Sequence, residues 1–292
     1  RQMLEENFVI NHIEVDTMQR SSDGTVKNAV RLHDGLIVES VLIPTESRTT
    51  ACVSSQVGCS LDCSFCATAQ LKKMRNLNPD EIYDQVAAIN KESLLYYNHK
   101  LSNIVFMGMG EPLMNYNNVL KAIEKISSTE GLGISSKRIT VSTSGIPKMI
   151  KKLADDEVKF NLAVSLHSAI DEVRSKIMPF AKDFPLQDLK EALEYWYAKT
   201  NSRVSYEYVV WNGINDTKEA IQALVKFCKY VPCKVNLIEY NPIGDPDFQQ
   251  ANPQVISDYI SILEMNDIIV NVRRSRGKDI DAACGQLANK KS

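Results

Sequence analysis

Residues 50–66 read Thr50-Ala51-Cys52-Val53-Ser54-Ser55-Gln56-Val57-Gly58-Cys59-Ser60-Leu61-Asp62-Cys63-Ser64-Phe65-Cys66. A short strand-like run opens this stretch, and a C-x3-C-x2-C loop follows it. Four of the chain's 7 cysteines fall here, and the other three are Cys228, Cys233 and Cys284. The count is odd and the chain is long enough to bury its own core, which argues against a secreted disulfide scaffold. Metal or redox chemistry in a reducing compartment, by default the cytoplasm, is the better reading. Three thiolates this close can each bind one iron of a cubane cluster and leave the fourth iron without a protein ligand. A structural zinc site is the other reading, with Cys63 and Cys66 joined by Cys228 and Cys233, although it leaves Cys59 idle. Cys228 lies on the stripe Ile221, Leu224, Val225, Cys228 and is expected to pack in the core. Cys233 is expected to be a small buried residue near the start of a strand.

Outward from the loop, short β-branched runs alternate with helical patterns. Strands are predicted near 102–107, 138–143, 161–165, 203–210, 234–239 and 268–273. Between them, a helix starts at Asn78-Pro79-Asp80-Glu81, and others cover 117–127, 147–154, 171–177, 186–199, 218–230 and 254–265. Six successive strand-helix units with nearly continuous apolar strands predict an α/β fold, a parallel sheet covered by helices and curved into a closed or partial barrel. No linker or repeat divides 50–275. A single boundary is placed near 45, between a small N-terminal β extension (1–45), with a hairpin turn at Asp23-Gly24, and a barrel with a C-terminal catalytic segment (46–292).

Barrels of this kind carry their chemistry at the carboxyl ends of the strands. Met107-Gly108-Met109-Gly110-Glu111-Pro112 stands at such an end. Its glycines would let a ligand approach the backbone, and Glu111 could receive an ammonium group. The composition is that of a globular protein: 292 residues, 44% hydrophobic, 24% charged, with 34 Lys+Arg against 36 Asp+Glu for a net charge of −2. That excludes disordered, collagen-like and coiled-coil classes. No apolar run approaches the ~18 residues of a membrane helix. The opening Arg1-Gln2-Met3-Leu4-Glu5-Glu6 is not a secretory signal. It lacks an initiator Met, so an upstream segment is expected.

These residues carry a family resemblance. The cysteine loop, with an aromatic residue before its last Cys and Gly-Glu-Pro one strand later, resembles the radical S-adenosylmethionine (SAM) superfamily. Five longer blocks are similar to its dual-specificity RNA adenine-C2 methyltransferases. They are Cys52-Val53-Ser54-Ser55-Gln56-Val57-Gly58-Cys59, the Met107–Pro112 run, Ser142-Thr143-Ser144-Gly145, Ser165-Leu166-His167 and Asp279-Ile280-Asp281-Ala282-Ala283-Cys284-Gly285-Gln286-Leu287. The resemblance spans about residues 36–287. A sister branch, the Cfr-type C8 methyltransferases, shares the cysteines but tends to carry Ala where this chain has Pro112.

The resemblance implies a partial (β/α)6 barrel holding a [4Fe-4S] cluster on Cys59, Cys63 and Cys66. It implies SAM, two per turnover, bound by Gly110, Glu111, Ser142, Ser165, Leu166, His167 and Asn241. All of these fall at or just after strand ends. Adenine C2 is electron-poor and has neither an acidic proton nor a nucleophilic lone pair, so simple methyl transfer from SAM has no acceptor there. The family route instead methylates Cys284 and forms a methylene radical on its sulfur. That radical adds to C2, a base matched by Glu39 removes the C2 proton, and Cys52 releases the RNA by forming a disulfide with Cys284. A depressed thiol pKa would favour the first step, and Arg273, Arg274, Arg276 and Lys278 are close to Cys284 in sequence.

The implied partners are 23S rRNA and tRNA, with an electron donor such as a flavodoxin or ferredoxin. No membrane is involved, and a monomer is expected. Family members have a small helical domain ahead of the barrel, and this chain is read as beginning after it. A net charge of −2 is low for an RNA-binding protein, so affinity must come from local patches. The candidates are Lys72-Lys73 with Arg75, Lys148 with Lys151 and Lys152, the Arg273–Lys278 run and Lys290-Lys291. Tyr206, Tyr208 and Trp211 are weighed as platforms for an unstacked base, with core packing the favoured reading.

Overall fold

The computed structural model describes residues 12–289. The twelve strands among them are β1 (Glu14–Arg20), β2 (Val26–Arg31), β3 (Ile37–Pro44), β4 (Thr49–Cys52), β5 (Gln56–Val57), β6 (Arg75–Asn76), β7 (Asn103–Phe106), β8 (Ile139–Thr143), β9 (Asn161–Ser165), β10 (Val204–Val209), β11 (Cys233–Ile238) and β12 (Ile269–Arg273). The helices are α1 (Pro79–Tyr97), α2 (Tyr116–Ser127), α3 (Pro147–Asp155), α4 (Asp171–Ile177), α5 (Leu186–Thr200), α6 (Lys218–Cys228) and α7 (Pro253–Met265).

Ten strands form one sheet in the order β1-β2-β3-β4-β7-β8-β9-β10-β11-β12. From β4 to β12 every pairing is parallel, and β1 to β4 are antiparallel. β1 and β12 are the ends of that order, so the barrel is partial. Position in the sheet explains composition. β10, with neighbours on both sides, is buried at all six positions, whereas the edge strand β12 is exposed at Ile269, Asn271 and Val272.

The expected boundary near 45 coincides with the change from antiparallel to parallel pairing. It separates no second core: Val26, Val30, Val38 and Leu42 belong to the same hydrophobic cluster as Ile104, Leu162 and Val235. The Asp23-Gly24 turn is present, with Gly24 at φ +87°. Residues 1–11 of the expected extension lie outside the described residues.

Helix starts follow local chemistry. At α1 the Glu81 side chain accepts from Asn78 N–H at 2.8 Å, with Pro79 leading the helix. The sequence pattern did not suggest the β5–β6 hairpin that brackets the cysteine loop. Two-residue strands are too short to show alternation.

Candidate active site

The carboxyl ends of β7 to β11 surround a cavity of about 160 Å³. Cys59, Cys63 and Cys66 form one side, and Gly110, Glu111, Ser142, Ser165, His167 and Asn241 stand around the rest. Leu166 differs from that expectation. It is fully buried and off the cavity wall, and its backbone N–H donates to Glu207 O at 3.0 Å, carrying the chain to His167.

Phe65 explains the aromatic position in the cysteine loop. Its ring lies 4.7 Å from His167 edge-on and 5.0 Å from Trp211, which pins an irregular loop onto a small apolar cluster. Burial pushes the Cys59 thiol up to about 11, and Cys63 well above its ordinary value, where the neighbouring thiols add to the effect. Thiols in this setting ionise when a metal binds them.

Among the described residues no three His, Cys, Asp or Glu side chains converge on a point that would hold a single metal ion. Three thiols within eight residues on one side of the cavity suit a cubane, which takes one thiolate per iron. The zinc reading fails on position as well. Cys233 opens β11 and its thiol donates to Cys228 O at 3.4 Å, whereas Cys63 faces the cavity at the far end of that strand, a strand's length of ~17 Å away.

Two observations bear on cofactor fit. Arg174 is fully buried beside Cys63, its Nη2 donates to Ser144 O at 2.6 Å, and its Nη1 has no partner. Burial lowers its pKa to about 10, with Cys63 opposing. A buried guanidinium with a spare donor is suited to an anionic iron-sulfur-thiolate unit. In the cavity wall, Asn241 Oδ1 and Trp211 Nε1 are likewise buried without partners, as a polar ligand would require.

The glycines of the Met107–Pro112 run have a packing role as well. A Cβ at Gly108 would lie 2.7 Å from Val53 O, and one at Gly110, with φ +91°, would lie 2.4 Å from Gln56 Cβ. They admit the neighbouring loop on the side where a Cβ would point, and both also line the cavity. The close approach lets Gln56 Oε1 accept from Glu111 N–H at 2.9 Å. The Glu111 carboxylate accepts from Leu113 N–H at 3.0 Å and Ser144 N–H at 2.7 Å, and burial raises its pKa.

His167 has φ +55° and its Nδ1 accepts from Val209 N–H at 3.2 Å, leaving Nε2 to carry the proton of a neutral ring. Burial pushes its pKa down to about 3, with Arg174 adding.

Cys284 lines this cavity and also a second one, which contains Cys52, Met107, Arg273, Arg274 and Arg276. Cys52 ends β4, is buried, and is pushed up to about 12 by burial and then by Cys284. Cys284 is open to the cavities but ringed by protein, and burial raises its thiol while Arg273 opposes. Neither thiol is in a disulfide.

Sequence reasoning missed Glu207. It is buried in the wall of the first cavity, accepting from Asn236 Nδ2 at 2.7 Å and from Arg273 at 3.1 Å. The one available signal was a carboxylate in an otherwise apolar strand.

Glu39 lines neither cavity. Its Oε2 accepts from the backbone of Ala288 at 2.8 Å and Asn289 at 3.1 Å, and its Oε1 lies 3.4 Å from Lys27 Nζ.

Comparisons with known proteins agree with this geometry. Residues 53–228 match the family model described as the Radical SAM superfamily. A relative in Flavobacterium johnsoniae, named probable dual-specificity RNA methyltransferase RlmN, is 79% identical over 292 residues, which cover 100% of this chain and 84% of the relative. The chain belongs to the RlmN family. A Streptococcus agalactiae member of that family is 42% identical, covering 98% of this chain and 78% of its own. The crystal structure of a radical SAM methyltransferase from Sphaerobacter thermophilus superposes with a TM-score of 0.94 at 37% identity, covering 99% of this chain and 85% of that one. As a radical SAM protein of the RlmN family, the chain uses a [4Fe-4S] cluster and SAM.

The structure places three groups of the RNA-contact candidates. Arg75 is held by Glu81 at 2.7 Å and Asp34 at 2.6 Å, bracing α1. Tyr206, Tyr208 and Trp211 are fully buried, so none offers an open stacking face. Lys152 pairs with Asp156 at 3.2 Å and covers the Tyr116 ring. Lys290 and Lys291 lie outside the described residues.

Proposed function

We propose that this chain methylates C2 of adenosine in 23S rRNA and tRNA, with Cys284 as the carbon carrier and Cys52 as the thiol that releases the product. The observation that carries the reading is the place of Cys284. It borders both the cavity walled by Cys59, Cys63 and Cys66 and the cavity that holds Cys52. One sulfur can therefore receive a carbon on one side and meet a second thiol on the other.

Cys59, Cys63 and Cys66 would hold the cluster, and Glu111, Ser142, Ser165, His167 and Asn241 would orient SAM. When bound, one SAM would supply the methyl group and leave as S-adenosylhomocysteine, and the cluster would supply the electron that cleaves a second SAM to methionine and a 5′-deoxyadenosyl radical. Cys284 takes the methyl as a thioether, its thiol proton leaving. Loss of a hydrogen atom from that methyl leaves a carbon radical that bonds to C2. Once the adduct has given its C2 proton to Glu39 and one electron back to the cluster that supplied it, the Cys52 thiolate would attack Sγ of Cys284. The S–C bond breaks, the disulfide forms, and the carbon is protonated as the new methyl group.

Arg273 is the cation placed to favour thiolate at both sulfurs, since it lines the second cavity with them. Glu39, which meets the segment that carries Cys284 at Ala288 and Asn289, would accept the C2 proton. Arg274 and Arg276, exposed on the rim of the second cavity, suit RNA phosphates approaching Cys284.

Among the described residues no helix is long and apolar enough to cross a membrane. Thiol chemistry on RNA fits a reducing cytoplasm, a small electron carrier such as flavodoxin or ferredoxin, and a monomer. The test is anaerobic turnover with RNA carrying a mass label, comparing the parent with Cys52→Ala. A methyl on Cys284 and 2-methyladenosine in the parent, with RNA covalently trapped on Cys284 in Cys52→Ala, is the expected result. An unmodified Cys284 in a chain that cleaves SAM would refute the carrier role, and 8-methyladenosine would refute the position.

A further inference from the structure

We infer that Thr68 is a positioning residue that docks the Cys284 segment onto the cysteine loop, so that filling the cluster site and seating Cys284 are coupled events. The inference rests on the carrier role proposed for Cys284. Residues 274–289 contain no regular structure beyond a short turn, Lys278–Ile280, so bonds from elsewhere must order them.

The bonds nearest to Cys284 come from the residues beside Cys66. Ala67 N–H donates to Gly285 O at 2.7 Å, and Thr68 Oγ1 donates to Leu287 O at 2.6 Å. Thr68 and Leu287 are both buried, and a carbonyl stripped of its donor there is not solvated. Gly285 has φ +83°, and a Cβ on it would lie 3.3 Å from Phe65 O, so the segment runs close against the loop backbone. Residues 65, 67 and 68 thus face 285 and 287, with Cys66 inside one run and Cys284 at the start of the other.

The donors to the segment are tied to the cluster thiols. Cys66 N–H donates to Cys63 O at 3.1 Å, and the turn Ala67–Gln70 starts at Cys66, whose C=O accepts from Ala69 N–H at 3.1 Å. Fixing the Cys63 and Cys66 thiolates on iron therefore fixes the turn that supplies both donors. The remaining partners sit on elements without a cluster cysteine. Asn241 Nδ2 donates to Cys284 O at 3.2 Å, Gln286 Nε2 donates to Pro242 O at 3.2 Å, and Asp23 accepts from Gly277 N–H at 2.9 Å. Those contacts hold the segment whether or not iron is bound, and Ala67 with Thr68 makes the final grip conditional on it.

The experiment compares the parent chain, Thr68→Val and Thr68→Ser, each with the cluster reconstituted anaerobically and each without it. Valine keeps the shape and removes the hydroxyl, whereas serine keeps the hydroxyl. Hydrogen exchange is read on amides 282–286, several of which bond within the segment. Cys284 methyl occupancy is read after addition of SAM, in loaded samples matched for iron and sulfide per chain. Loading the parent should slow the exchange by about tenfold or more. In Thr68→Val the exchange should return to within about threefold of the unloaded chain, with Cys284 methylation about tenfold lower. Thr68→Ser should keep both within about threefold of the loaded parent.

Exchange that is the same in the parent with and without cluster would overturn the coupling. A Thr68→Val protein that matches the loaded parent in exchange and methylation, or a Thr68→Ser protein that behaves like Thr68→Val, would overturn the role of the hydroxyl. Should Thr68→Val fail to take up the cluster, Thr68→Ala stands in with the same expected outcomes. If Cys284 is never methylated in the parent, the carrier role fails by itself, and the exchange comparison still judges the docking.

Discussion

Gly110→Ala tests the account of the Glu111 loop with a magnitude that follows from geometry. The added Cβ would stand 2.4 Å from Gln56 Cβ and 2.7 Å from its Cγ, where ordinary contact begins near 3.4 Å, so the loop must retreat by about 1 Å. That retreat strains or breaks the 2.9 Å bond from Glu111 N–H to Gln56 Oε1, a loss of about 1 kcal/mol. Alanine at φ +91° adds ~1–2 kcal/mol, and overpacking of a buried site adds ~1–3 kcal/mol. The whole is about 3–6 kcal/mol, enough to lower the melting temperature by roughly 10 °C in a chain of this size. If Glu111 receives the ammonium of SAM, loss of that charge-assisted bond weakens binding by ~10–100-fold.

The assay is a double-mutant cycle with Gln56→Gly, which removes both offending carbons, read by thermal melting and by equilibrium dialysis of SAM. Gly110→Ala should cost ~1–3 kcal/mol less in the Gln56→Gly background. Additive costs, or a Gly110→Ala protein that melts with the parent and binds SAM as well, would refute the reasoning.

Two further outcomes are expected. His167 is held neutral with its pKa down at about 3 against an ordinary value near 6.5. Its contribution to stability is therefore full above pH 6.5 and is lost as pH falls towards 3. Between pH 7 and 5 the parent should lose about 2 kcal/mol that a His167→Asn variant does not, as measured by urea unfolding at each pH. Arg174→Met removes a buried positive charge beside Cys63 and should make the cluster harder to reduce, with a lower midpoint potential in an EPR-monitored titration. Arg174→Lys should stay near the parent value, and a potential unmoved by Arg174→Met would exclude the charge as a determinant.

Much of the architecture could be read from periodicity. The strand-helix alternation after residue 50 predicted every strand from β7 to β12 and all seven helices, because each is long enough for its apolar face to repeat. The C-x3-C-x2-C loop was legible because ligand chemistry demands fixed residue types at short, contiguous spacing. Of the SAM-site residues expected from the resemblance, Ser142, Ser165, His167 and Asn241 reach the cavity since parallel strands bring their carboxyl ends together.

Four things were decided only in three dimensions. Gly108 and Gly110 make room for Val53 and Gln56, a contact between loops some fifty residues apart in sequence. Arg75 belongs to α1 and not to an RNA surface. Glu207 became a site residue because β10 points it into the cavity wall. Glu39, read from the sequence as a strand carboxylate, meets the backbone of Ala288, 249 positions away. The amino-acid sequence by itself determined the elements and the grouping of the three cysteines, because periodicity and short spacing are local properties of a chain. Which carboxylate faces the cavity and which meets the tail depends on long-range packing, where chain separation carries no information about distance.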